Sequence, residues 1–436
     1  MAITNVSKPS VVTSGAATTN TGAMTMVTTL FFMWGFLTCL NDILIPHLKA
    51  IFDLNYAQVM LVQFVFFSCY FIFAVPAGRI VETIGYKRTM VGGLLTMAAG
   101  ALLFLPAASV PAYTLFLGAL IVLAAGITAL QVSANPYVSI LGPAKTASSR
   151  LNLTQAFNSL GTTVAPYFGS MLILSTVPKS PQEMRALSPD ALQAYRLHEA
   201  ATVKFPYLLI ALALIVLAVV IARFKLPVIS TAVDPLAIDD PNTRKALKLW
   251  NQRHLILGVL GIFLYVGAEV SIGSFLVNYF SQPNIGAMSE KTAAAYVSFY
   301  WGFAMLGRFV GSAVLQRVRA GNLLGLVALV AGCLLVISML TFGHVAVWSI
   351  LLIGLFNSVM FPSIFTLGIA GLGPLTGRGS GLLVAAIVGG AIIPEIQGLL
   401  ADKIGIHHAF ILPVLCYLYI AFYGFKGSRQ ASEVAA

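Results

Sequence analysis

Charged side chains are scarce in this chain: Asp, Glu, Lys and Arg make up 9% of its 436 residues, against about 25% in soluble domains. That scarcity excludes an ordinary water-soluble fold. Histidine (6) and cysteine (4) are also few. Cys39, Cys69, Cys333 and Cys416 stand in apolar runs without metal-ligand spacing, so they read as small buried apolar residues and neither a metal centre nor a disulfide is expected. No nucleophile elbow and no Walker loop occurs, and glycine pairs such as Gly389-Gly390 lie inside apolar stretches, where they read as helix-packing sites. No segment is long enough for a soluble nucleotide-hydrolysing domain. Enzymatic and ATP-driven functions therefore find no support, and an ion or solute gradient is left as the energy source.

What the chain does have is hydrophobic sequence, 58% by residue type. Apolar runs of about 20 residues, the length that crosses a hydrocarbon layer as helix, recur twelve times between one centred near Gly35 and one near Leu415. The alternating ten-residue segments of a β-barrel are missing. The net charge of +11 is distributed by side: with a cytoplasmic N-terminus, 18 of the 25 Lys and Arg fall in cytoplasmic connections and 7 on the other face. The positive-inside rule then places both termini in the cytoplasm. The basic excess reports topology, and no nucleic-acid partner is expected. Met1 to Asn20, rich in Ser, Thr and Ala, has no apolar core of a signal peptide; a disordered tail is expected there.

The second part of the chain repeats the first at an offset of about 228 residues. Arg150, Gly161 and Pro166 are spaced as Arg378, Gly389 and Pro394 are, and Gly78-Arg79 is echoed by Gly307-Arg308. Two related sets of six helices in the same orientation form a parallel repeat. The fold expected is therefore an all-α membrane protein, twelve transmembrane helices in two six-helix bundles, the major facilitator arrangement. The boundaries read as a tail over 1–24, a first bundle over 25–225, a cytoplasmic linker over 226–253, a second bundle over 254–425 and a tail over 426–436. Such a unit is self-contained, so a monomer in the bilayer is the default.

Polar residues inside the runs mark the site. Asn41 and Asp42 sit in the first run, and an intramembrane acid costs about 2.5–3.5 kcal/mol, which makes it a functional candidate. Gln131 and Asn135, four apart, share one face of the fourth helix; Pro136 follows, tolerable where a neighbour satisfies the freed carbonyl. Asn152, Gln155 and Asn158 stripe the fifth. The second half contributes Glu269, Asn278, Asn357, Glu395 and Gln397. Amides supply paired donors and acceptors for hydroxyls, and aromatic residues such as Trp34, Phe157, Tyr265, Tyr300, Trp301 and Phe361 offer flat apolar faces, a combination suited to a neutral sugar. Candidate substrate-binding residues are Gln131, Asn135, Gln155, Asn158, Glu269, Asn278, Tyr300, Trp301, Asn357, Phe361 and Gln397. Several of these amides, Asn278 and Asn357 among them, have helix-to-helix bonding as the competing reading. A gating or structural set comprises Gly78, Arg79, Glu82, Gly85, Lys87 and Arg88, in a segment that reads as a glycine-assisted reversal or as a plain positive-inside loop. Arg150, Arg308, Arg378 and Glu395 join it.

Several long stretches together resemble the fucose:proton symporter family of the major facilitator superfamily: NDILIP around Asp42, AGRIVETIGYKR, LQVSANPYVSILGP, RLNLTQAFNSLGT and YVGAEVSIGSFLVNY. The likeness runs from about Leu30 to Phe422 and leans to the glucose/galactose-type members. It implies sugar uptake coupled to a cation, with Asp42 at the position of the family's coupling aspartate. Two positions depart from the fucose carriers: Gln131 replaces a helix-4 glutamate, and Cys39 an asparagine. With one carboxylate in the first half, Asp42 either carries a proton or, with Asn41 and Thr38, ligates sodium. Since glucose/galactose-type members include sodium-dependent ones, sodium is slightly favoured. No resident cofactor is implied. The reading is a cation-coupled importer of a neutral hexose in a bacterial inner membrane; a drug or cation efflux antiporter, using Asp42 and Glu269, is the alternative from another class.

Overall fold

The structure, a computed structural model, describes residues 19–52, 56–109, 113–172, 183, 186–201, 204–227 and 248–429; within them the side chains of 40–52, 56–60, 169–172, 196 and 199–201 lie outside the description. Asn41 and Asp42 are therefore placed by backbone alone, and the linker over 228–247 is not described.

Twelve long helices account for the apolar runs, as expected. They are α1 (Thr21–Phe52), α2 (Tyr56–Ile84), α3 (Tyr86–Ser109), α4 (Tyr113–Ile140), α5 (Ala147–Leu172) and α6 (Lys204–Arg223), then α7 (Arg253–Phe280), α8 (Glu290–Val314), α9 (Ala320–Leu340), α10 (Gly343–Ile369), α11 (Gly373–Ile404) and α12 (Ile406–Gly427). Helices satisfy their own backbone within lipid, which is why such runs fold this way. Ten are apolar enough to cross a membrane by composition alone. The two that are not, α5 and α8, carry polar residues such as Ser149, Asn152, Arg308 and Ser312 that bond across to the other half. A further helix, Pro189–Ala201, lies in the α5–α6 connection and packs on α1 and α3.

α1 runs through Pro46 to Phe52. The next boundary differs from the sequence reading for a physical reason. α2 runs straight through Gly78 to Ile84, and the reversal into α3 is made by Gly85 alone, at φ +83°, a conformation glycine adopts without a Cβ clash. Gly78 serves packing instead: a Cβ there would lie 2.7 Å from the Gly377 carbonyl oxygen of α11. α10 is interrupted at Ser358-Val359, between Asn357 and Met360; Pro362, four residues after Ser358, has no N–H to donate to the Ser358 carbonyl. Cys69 and Cys416 are buried, but Cys333 is exposed on α9.

The repeat is visible as packing. α1 pairs with α5, and α7 with α11. A Cβ on Gly161 would meet the Phe32 carbonyl at 2.2 Å, and one on Gly389, its counterpart in the second half, the Phe263 carbonyl at 2.0 Å. Both glycines let two backbones touch, the small-residue mode of membrane helix association. α3, α6, α9 and α12 turn large apolar residues such as Leu102, Leu212, Leu326 and Leu415 outward. The two halves meet where α2 packs on α11 and α5 on α8 and α10.

Candidate functional site

In the second half, five residues from four helices form one connected group. Tyr265 and Glu269 share a face of α7, and the Tyr265 hydroxyl donates to Glu269 Oε1 at 2.8 Å while lying 3.1 Å from the Asn357 carbonyl of α10. The Asn357 amide is engaged at both ends: Nδ2 donates to the Tyr300 hydroxyl of α8 at 2.9 Å, and Oδ1 accepts from Tyr417 of α12 at 2.8 Å. Asn357, Tyr300 and Tyr417 are fully buried, while Glu269 is half-buried. The group therefore ties the break in α10 to α7, α8 and α12 and leaves the carboxylate at its accessible edge. Among the described residues Glu269 has no ion-pair partner; Arg308 of α8, though within electrostatic reach of Glu269, directs its guanidinium across to α5, to the Gln155 carbonyl and the Ser159 hydroxyl. Tyr417 had no signal in the sequence, being one of three tyrosines, with Tyr419 and Tyr423, in an apolar helix.

The first half is less saturated. Gln131 Nε2 donates to the Tyr70 hydroxyl at 2.8 Å, but its Oε1 is buried without a partner, and both amide atoms of Asn135 are likewise buried and unpartnered. Gln397, on α11, is in the same condition. Protein groups alone leave these amide atoms unpaired, at about 1–3 kcal/mol for each that stays unmet. Asn158, by contrast, donates to the Phe31 carbonyl of α1 at 2.9 Å, and the Thr38 hydroxyl turns back on its own helix to Trp34 and Gly35. Asn278, Trp301 and Glu395 are exposed; Trp301 lies edge-on to Tyr300, and Phe361 stacks on Phe365. Asp42 and Asn41 lie on α1 with side chains outside the description.

The halves close on each other at the ends that carry the basic residues. Glu82 of α2 pairs with Arg378 of α11 at 2.8 Å. Ser149 donates to the Ser312 carbonyl at 2.7 Å, Asn152 to the Arg308 carbonyl at 2.7 Å, and Ser148 bonds Thr366. Pro136 supplies the remaining piece. Its missing N–H frees the Val132 carbonyl within α4, and Ser380 of α11 donates to it at 2.9 Å. Arg150 has a different duty: its guanidinium reaches the Val138, Ser139 and Pro143 carbonyls and the Thr146 hydroxyl, closing the end of α4. Lys87 donates to the Ala222 carbonyl at the end of α6, and Arg79 and Arg88 are exposed. Serine and threonine contacts of this kind escaped the sequence reading, since short hydroxyls are ordinary in membrane helices.

A split bundle of twelve helices, sealed at one end and holding a half-buried carboxylate, is the form of a membrane transporter and not of an enzyme. The family model described as Major Facilitator Superfamily matches residues 23–394, and the chain belongs to that superfamily. Within it, the chain is 57% identical over 408 residues to a glucose/galactose transporter of Brucella abortus, covering 94% of each. It is 36% identical over 410 residues to the L-fucose-proton symporter of Escherichia coli, covering 94% of this chain and 93% of that one. A solved Major Facilitator Superfamily transporter, FucP, in the outward conformation superposes with a TM-score of 0.86 at 35% identity, over 94% of this chain and 99% of that one. The chain is thus a multi-pass transporter of the fucose:proton symporter family.

Proposed function

We propose that this protein imports a neutral hexose of the glucose/galactose type together with a proton, by alternating access between the bundles over 25–225 and 254–425. The relatives named glucose/galactose transporter and L-fucose-proton symporter support the substrate class and the ion, and they favour sugar over a drug or cation efflux antiporter. The sealed end carries Arg79, Arg88, Arg317 and Arg378, so the positive-inside rule makes it the cytoplasmic end and the structure outward-facing. Both termini are then cytoplasmic, in a bacterial inner membrane, and the working unit is a monomer.

The observation that carries the proton reading is Glu269. Its described hydrogen bond comes from one tyrosine hydroxyl, and Arg308, the cation that acts on it through space, makes no ion pair with it and bonds to α5 instead. An ionised carboxylate so placed is costly to close over, several kcal/mol even after relaxation. A proton removes that cost with no change of ligand geometry, whereas sodium would need several further oxygens. Asp42 and Glu269, one in each half, are the two proton-carrying carboxylates in this scheme. When both are neutral the outer side closes; Gln131, Asn135 and Gln397 find partners in the sugar or in the repacked helices; the sealed end opens.

Counterflow and gradient-driven uptake in proteoliposomes separate these roles. Glu269→Gln is expected to keep hexose counterflow and lose accumulation against a gradient, and Asp42→Asn to do the same. Normal accumulation by Glu269→Gln would remove it from the coupling scheme, and absence of counterflow with every hexose in the wild type would refute sugar transport.

A further inference from the structure

A cavity of about 880 Å³ opens at the sealed end and takes no part in the scheme above. Its wall includes Ser148 and Thr366, the bonded pair that joins the halves. Four cations surround it: Lys145 from the α4–α5 connection of the first half, and Arg317, Arg319 and Arg429 from the second. No Asp or Glu lines it, and among the described residues none of the four cations has an acidic partner. Topology accounts for basic residues on this side of the membrane. It does not account for four of them converging on one cavity between the halves, where their mutual repulsion works against the seal. The cavity also receives the first turn of α9, Ala320 to Asn322, which has no side-chain cap, so its N–H groups add to the field favouring an anion.

We propose that this cavity binds a phosphate-bearing anion and that the bound anion holds the two halves together at their sealed end. Arginine and lysine are the side chains that hold phosphate oxygens with charge-assisted hydrogen bonds. The cavity has room for a phosphate with an attached organic group. Since Lys145 and the arginines belong to different halves, separation at this end takes the site apart. The anion therefore binds the sealed state in preference and stabilises it by mass action. It acts as a brake on transport, slowing the step in which the sealed end opens. The phosphate has two sources, a soluble phosphate ester or the headgroup of an anionic lipid in the adjoining leaflet. The binding site is independent of the sugar reading, and only the source depends on which side of the membrane this end faces.

The full-length protein in dodecyl maltoside is titrated with inorganic phosphate at constant ionic strength while thermal unfolding is followed by tryptophan fluorescence. A second arm uses nanodiscs of phosphatidylcholine with and without phosphatidylglycerol. A saturable rise in Tm is expected, with the apparent affinity falling about tenfold for each cation removed in Lys145→Gln and Arg319→Gln. Saturation by phosphate in micelles identifies a soluble ester; a response to phosphatidylglycerol alone identifies the headgroup. Spin labels on Thr83 and Lys426, exposed residues in opposite halves, report the clamp, and the ligand should shift them toward the shorter distance. No saturable response in either arm, or an undiminished response in both variants, overturns the site. Binding that leaves the label distances unchanged overturns the clamp.

Discussion

Ser380 donates its hydroxyl to the Val132 carbonyl of the other half at 2.9 Å, a carbonyl left free by Pro136 one turn further on. The proline is thus what makes an acceptor available for the seal. Ser380→Ala should leave that carbonyl buried and unpaired, weakening the sealed state by about 1 kcal/mol, or roughly fivefold in population. The distance distribution between labels on Thr83 and Lys426 checks this, and an unchanged distribution would show that the bond contributes nothing to closure.

The Glu82–Arg378 pair is a weaker fastening. Its side chains are 22% and 43% exposed, so the pair contributes no more than about 1 kcal/mol and is screened by salt. Glu82→Gln should shift the same label distances at low ionic strength and have little effect at high ionic strength. A shift that persists undiminished in high salt would show that screened charge attraction is not what Glu82 contributes.

Glycines at the α1–α5 and α7–α11 crossings leave no room for a methyl group. Gly161→Ala and Gly389→Ala each force a Cβ to within 2.2 Å and 2.0 Å of a backbone carbonyl, so each should lower thermal stability, by about 1–3 kcal/mol for an overpacked contact. Gly92, exposed with nothing within 4 Å of its Cβ position, is the control: Gly92→Ala should be neutral or slightly stabilising. Equal losses at all three positions would contradict the packing argument.

Tyr417→Phe removes the donor to Asn357 Oδ1 and leaves a fully buried acceptor unmet. The expected loss is about 1–3 kcal/mol of stability, with sugar affinity altered only through the position of α10. A change in affinity without a change in stability would place Tyr417 at the substrate instead.

Much of this arrangement was legible in the sequence because membrane folds write their helices in long apolar runs. The repeat of Arg150, Gly161 and Pro166 in Arg378, Gly389 and Pro394 corresponds to matching backbone contacts, and Glu269 announced itself as an acid in lipid. What escaped was of two kinds. Contacts made by Ser148, Ser149, Ser312, Thr366 and Tyr417 depend on which helix lies opposite, and period along one helix does not encode that. Gly78 was misleading for another reason: glycine serves both turns and close packing, and only the proximity of Gly377 tells the two apart. The clustering of Lys145, Arg317, Arg319 and Arg429 was hidden in the same way, their residues being 284 positions apart at the extremes and brought together by the closing of the halves.

Proton movement evoked by sugar tests the central claim most directly. Proteoliposomes in weakly buffered, sodium-free medium are given glucose or galactose while external pH is recorded. Alkalinisation of the medium on sugar addition is expected in the wild type and not in Asp42→Asn or Glu269→Gln. Sugar entry with no proton movement, or entry that occurs only when sodium is supplied, would contradict it.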